Sequence, residues 1–141
     1  MSMEISVLSD ERLNSINEWQ HAIDAAGFPL RLLGRRKFAD VKGFLPATLR
    51  EKQTGFECYH SDPRELFETY DDDVHFDHDW KYVLAFVWGG DFVAMQAAWM
   101  AAAAYARATS GAVFDEEAGQ ILTAADALAV VQDMVRGRTG N

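Results

Sequence analysis

The residues of this chain best suited to chemistry crowd into one stretch, Tyr70-Asp71-Asp72-Asp73-Val74-His75-Phe76-Asp77-His78-Asp79-Trp80. Five carboxylates and two imidazoles fall within these eleven residues. Carboxylate oxygens and imidazole nitrogens both bind Zn, Mn or Ni, so one chemistry open to the stretch is a divalent metal centre. His75, Asp77 and His78 form its core in that reading, with His60 as a further ligand. The spacing does not fit an EF-hand loop, which needs glycine at its sixth position and glutamate at its twelfth. It does not fit H-E-x-x-H either. The competing reading is an acidic segment without metal that meets a protein partner. Asp71, Asp72, Asp73, Asp77 and Asp79 are then charged contacts, and Tyr70 and Trp80 are aromatic anchors. Ligands this close in sequence tend to point different ways, so the second reading is preferred and no metal or cofactor is expected.

The other reactive residues are weaker candidates. Cys58 and His60 are two apart on an alternating segment, so they share a face with Phe56. A nucleophilic cysteine needs an exposed thiolate, and a cysteine beside phenylalanine on a core face is inert. His21 follows Gln20 on a helix and reads as a surface or boundary residue. Gly89-Gly90-Asp91 joins a strand to a helix, but an aspartate at the cap repels an anion. Gly34-Arg35-Arg36-Lys37 lacks the Ser or Thr of a phosphate loop, and no G-x-S-x-G elbow occurs.

Charge is segregated along the chain. Residues 31–52 hold seven basic side chains against Asp40 and Glu51, a net of +5. Residues 57–79 hold nine acids against Arg64 alone, a net of −8. Such patches can steer an oppositely charged partner, or they can neutralise each other across the fold. The whole chain carries −9, which argues against nucleic acid as its partner.

The elements that must position these groups belong to one domain. The 141 residues, 49% of them hydrophobic, can bury about two thirds of their unfolded surface without a staple. The single cysteine permits no internal disulfide. The longest apolar stretch, residues 92–106, is broken by Gln96 and too short for a bilayer, so no membrane association is expected. The N-terminus lacks the cationic-then-apolar pattern of a signal peptide, and a cytoplasmic protein is expected.

The pattern predicts a first helix from a Ser9 cap to Gly27, then a strand over 28–33. Residues 34–54 read as mostly loop, with an extended piece at 44–49. A half-buried strand follows at 55–60, and a short helix opens at Asp62-Pro63. The apolar run 82–88 reads as a central strand covered on both faces. Asp91 caps a long alanine-rich helix to Ser110, a hairpin joins 112–114 to 120–122, and Thr123 and Asp126 begin the last helix. This order fits an α+β fold, with a mixed or antiparallel sheet of four or five strands and helices packed on one face, a ferredoxin-like variant. The long helix is apolar nearly all round, and its Met100/Ala104 face is a candidate homodimer surface.

Gly43-Phe44-Leu45-Pro46, Gly55-Phe56-Glu57-Cys58-Tyr59 and Phe86-Val87-Trp88-Gly89-Gly90, followed by the alanine-rich helix and Thr109-Ser110-Gly111-Ala112-Val113-Phe114-Asp115, resemble small uncharacterised bacterial proteins of the immunity-protein kind. The resemblance covers residues 43–115 and carries no catalytic residue. It implies a protein that binds and blocks a cognate toxin. The expectation is therefore a non-enzymatic cytoplasmic domain that binds an unidentified protein through its acidic segment. The alternative is a small metal-dependent or ligand-binding enzyme centred on residues 75–79. The two separate on metal. EDTA or Zn should leave the melting temperature unchanged. A Zn-dependent rise lost in a His75→Ala, His78→Ala variant would favour the enzyme, with ligand at a hundred times its Kd adding about 2.7 kcal/mol.

Overall fold

The computed structural model describes residues 3–34, 37–70, 74, 76 and 78–139, without the side chains of 137–139. In chain order the elements are β1 (Met3–Ser9), α1 (Ile16–Ala25), β2 (Leu30–Leu32), β3 (Lys42–Leu49), β4 (Lys52–Ser61) and α2 (Pro63–Tyr70). Then come β5 (Tyr82–Trp88), α3 (Phe92–Thr109), β6 (Ala112–Asp115), β7 (Gln120–Thr123) and α4 (Ala124–Thr139). The seven strands form one sheet in the order β2-β3-β4-β5-β1-β6-β7, and every neighbouring pair is antiparallel. The α+β class stands, but the sheet has seven strands where four or five were expected.

Two sequence segments account for the extra strands. Residues 3–9 were not read as a strand, and the first helix was expected to start at Ser9. Instead β1 lies between β5 and β6, where Ile5 and Val7 face one side and Ser6 and Leu8 the other, all buried. The helix starts six residues later at a Ser-x-x-Glu box. Ser15 accepts from the Glu18 amide at 3.0 Å, and the Glu18 carboxylate accepts from the Asn14 amide at 2.9 Å. The stretch expected to be mostly loop forms β3 and the start of β4, joined by the two-residue turn Arg50-Glu51. Leu45, Ala47 and Leu49 alternate into the core as a half-buried strand requires. Pro46 hid this pattern. Its carbonyl accepts from the Leu33 amide, so its missing donor faces the side where short β2 ends.

A ferredoxin-like arrangement repeats a split β-α-β unit. Here β5 and β6 both run antiparallel to β1 between them, so β5-α3-β6 makes one such unit. The corresponding path from β1 through α1 to β2 leaves three strands between its ends, so the unit is not repeated.

The main core lies on the sheet face of Ile5, Val7, Leu45, Leu49, Phe56, Leu84 and Phe86. The long helix α3 lies on this face against β1, β4, β5 and β6, with α1 and α4 packed against it. Every residue from Gln96 to Ala106 is buried, because alanine lets backbones approach from all sides. Trp19 of α1 is fully buried, and its indole N–H donates to the Ala101 carbonyl at 3.0 Å. Its rings meet Phe38, Phe56, Phe86 and Tyr105 edge-on at centroid distances of 5.6 to 6.5 Å.

The expected packing of all helices on one face does not hold. Leu66 and Tyr70 of α2 pack against Leu8, Val83 and Phe114, which alternate with members of the main core along their strands. Val74, Phe76 and Trp80 join this smaller cluster. The homodimer surface on α3 is also corrected. Met100 and Ala104 are both fully buried within one chain, so neither can face a second copy.

Two substitutions test this packing. Leu84→Asp puts an unpaired carboxylate at a site 3% exposed, costing several kcal/mol. Ala104→Glu does the same inside α3. Both variants should lose the cooperative thermal transition in circular dichroism. A folded Ala104→Glu protein with altered sedimentation would restore the interface reading.

Candidate functional site

The second sheet face carries the polar groups. Glu4 on β1, Val87 on β5 and Glu57 on β4 stand in one cross-strand row on that face. Glu116 leaves the end of β6 and turns back over the same face. Tyr70, the last residue of α2, lays its ring edge-on against Phe114 at 5.0 Å and donates its hydroxyl hydrogen to Glu116 Oε1. Glu116 Oε2 is buried and receives no conventional donor among the described residues. The Glu4 carboxyl is the other neighbour of the Glu116 side chain. Burial, then the hydrogen bond and charge of Glu116, push Glu4 up to about 8. Glu4 therefore keeps its proton at neutral pH and donates it to Glu116. Burial and the same glutamate push the Tyr70 hydroxyl upward. The result is a chain of two donors on one carboxylate, linking β1, the β6–β7 hairpin and α2.

A second tie holds the segment before β5. His78 Nε2 lies 2.6 Å from Asp10 Oδ2, and the Lys81 amide donates to Asp10 Oδ1 at 3.2 Å. The His78 hydrogen bond is the main reason that Asp10 is held below the usual carboxylate range. The His78 ring also meets Trp80 at 4.4 Å. Farther along the face, Tyr59 donates to exposed Glu57 at 2.8 Å.

The expected site residues fall into four groups. Asp71, Asp72, Asp73, His75 and Asp77 lie outside the described residues. Tyr70 and Trp80 are half-buried and packed into the second cluster, so they anchor the acidic segment to the sheet as well as bordering its surface. Asp79 is exposed. His78 and His60 are not brought together. His60 shares the main-core face with Cys58, its ring against Phe38 at 5.0 Å and its Nε2 3.0 Å from the Phe38 carbonyl. His78 sits with Trp80 of the opposite face. Among the described residues no three His, Cys, Asp or Glu side chains converge as metal ligands. Cys58 is fully buried, and burial raises its thiol pKa far above neutral, so it supplies no nucleophile.

Sequence reading missed Glu4 and Glu116. They lie 112 positions apart, and only strand order brings them together. One local signal was present: glutamate within the mostly apolar run of residues 3–8.

No protein family, curated protein or solved structure matches the chain. Its function rests on the geometry of this face.

The proton on Glu4 sets a pH dependence. Its pKa is raised on folding, so the folded state binds more protons than the unfolded state between about pH 4.5 and 8. Stability from this group is therefore lost as pH rises through that window. Glu4→Gln keeps a donor toward Glu116 and cannot ionise. It should flatten the fall and add about 1 kcal/mol at pH 8.5, after allowing for solvent screening of a partly exposed pair. Urea titrations of both proteins at pH 5.5 and 8.5 measure this, and equal slopes would show that the pair holds no shared proton.

Proposed function

We propose that this chain is a non-enzymatic protein-binding domain of the immunity-protein kind, whose acidic face receives a basic protein surface. The observation that carries the reading is a set of exposed carboxylates without an ion pair among the described residues. Among the described residues the ion pairs are His78–Asp10 and Arg136–Asp133, and neither joins the basic segment to the acidic one. Glu57, Glu65, Glu68 and Glu117 are exposed on or beside the face, without an ion pair among the described residues. Burial, then the hydrogen bond and charge of neighbouring Glu116, push Glu4 up to about 8. Self-repulsion of this kind weakens a folded chain and favours the approach of a cation-rich surface.

The aromatic groups suit such a face. Tyr70 and Trp80 are half-buried, with bodies packed in the second cluster and edges that border solvent. Binding by charge at the rim acts mainly on association rate and on choice of partner.

The test begins with affinity capture from cells that make the protein, and then titrates the captured partner in pure form. The association rate should fall by about tenfold between 50 and 500 mM salt. Glu65→Lys with Glu68→Lys, both exposed on α2, should slow it by a similar factor while leaving the melting temperature within a few degrees. A partner whose binding ignores both salt and the charge reversal would overturn the reading.

A further inference from the structure

Within the basic stretch of the sequence one residue, Arg50, stands out by its backbone. Arg50 and Glu51 form the two-residue turn between β3 and β4, with φ of +49° and +70°. Both values lie in the left-handed region. Turns of this kind favour Asn-Gly, because side chains larger than asparagine pay for the conformation in steric strain. The Arg50 amide fixes the turn by donating to the Pro29 carbonyl at 3.0 Å. Its guanidinium makes no hydrogen bond or ion pair among the described residues, although the chain carries −9.

Arg50 is also one of the residues that line a cleft of about 490 Å³. Its apolar lining comes from Phe28, Pro29 and Val135 with fully buried Met100 and Val131 behind them, and exposed Gln132 borders it. Gly27 at the cleft wall has φ of +79° and open space where a side chain would be. Arg136 also lines the opening and lies 3.7 Å from Asp133. The end of α1 beside the cleft does not need Arg50 as a cap. Its carbonyls already receive the Ala26 and Gly27 amides, and Arg107 donates to the Ala25 carbonyl at 3.4 Å.

We propose that this cleft binds a small apolar molecule carrying one anionic group, a carboxylate or sulfonate, with Arg50 as its charge partner. The volume is in the range of ligand pockets, and an apolar floor with a few polar groups at the mouth is their usual make-up. A planar guanidinium offers paired donors that match a carboxylate or sulfonate edge. The site lies on the main-core side of the fold, away from the acidic face, and does not depend on the protein-binding role.

Two fluorescent probes that differ only in the anionic group test the assignment. They are 8-anilinonaphthalene-1-sulfonate and its neutral parent, N-phenyl-1-naphthylamine. The native protein should bind the sulfonate saturably at one site per chain. Arg50→Asn removes the guanidinium and suits the left-handed turn. It should raise the melting temperature and weaken the sulfonate about tenfold, with the neutral probe unchanged. Arg50→Gln, which keeps the backbone demand, should weaken the sulfonate equally. Gln132→Trp, from an exposed position, should block both probes. No saturable binding to the native protein, unchanged sulfonate affinity in both Arg50 variants, or full binding in Gln132→Trp would each overturn the proposal.

Discussion

A helix with almost no solvent face sets the terms for this fold. From Gln96 to Ala106 every side chain of α3 is buried, and the sheet, α1 and α4 close around it. Seven of those eleven residues are alanine, so neighbouring backbones come close and larger side chains must be supplied by the surroundings. Trp19 is the largest of them. Its indole fills the space beside Ala101, its N–H satisfies a helix carbonyl, and its faces meet four aromatic rings. A small helix and large neighbours are thus one packing solution, since interiors tolerate neither void nor overlap. The same enclosure removes α3 from any role as an outer surface.

The enclosure on one face leaves the other face of the sheet to different rules. There α2 with Val74, Phe76 and Trp80 makes a smaller apolar cluster, with Leu8, Val83 and Phe114 as its buried members. A cover this thin needs polar ties. Tyr70 to Glu116 and His78 to Asp10 supply them, each joining the cover to an element distant in sequence. Both ties use groups that titrate, so the mounting of the acidic segment and its charge are physically coupled. The raised pKa of Glu4 is the clearest sign, with burial as its first cause and Glu116 as its neighbour.

How legible this was in the sequence depended on how local each signal was. The central strand β5 was readable to the residue, since seven apolar residues between Lys81 and Gly89 leave one interpretation. The Asp91 cap and the Thr123 cap were readable too; Asp91 accepts from the Val93 amide at 2.9 Å and Thr123 from the Asp126 amide at 3.1 Å. Cys58 was placed on the core face by alternation alone, and it is there. The failures came where tertiary context outweighs local chemistry. β1 carries Glu4, Ser6 and Ser9 among its apolar residues, and Ser9 imitates a helix cap. The β3–β4 hairpin uses Arg-Glu where Asn-Gly would announce a turn. Gly55 gives no sequence hint of its task; an added Cβ would lie 2.3 Å from the Phe44 ring that covers it. The candidate site was half legible. Its acidic segment stood out by composition, but the Glu4–Glu116 pair exists only through strand order.

Strand order also sets how far the Arg50 turn lies from the Glu4–Glu116–Tyr70 chain. The Arg50 turn lies at one end of β3, while the Glu4–Glu116–Tyr70 chain lies across β1 and β6. Four strand steps separate β3 from β6. At about 4.8 Å per step the separation is about 19 Å, roughly twice the Debye length at physiological salt. The two groups also belong to opposite sides of the sheet, with Arg50 beside the cleft under α4 and the carboxylates beneath α2. Screening at that distance leaves each charge to be answered locally or by something outside the chain. Asp10 is answered locally by His78, and Glu4 answers itself by staying protonated. Exposed Glu65, Glu68 and Glu117 on one side and Arg50 on the other have no such answer within the described residues. Topology thus holds the Arg50 cleft and the Glu4–Glu116 carboxylates on opposite sides of the sheet.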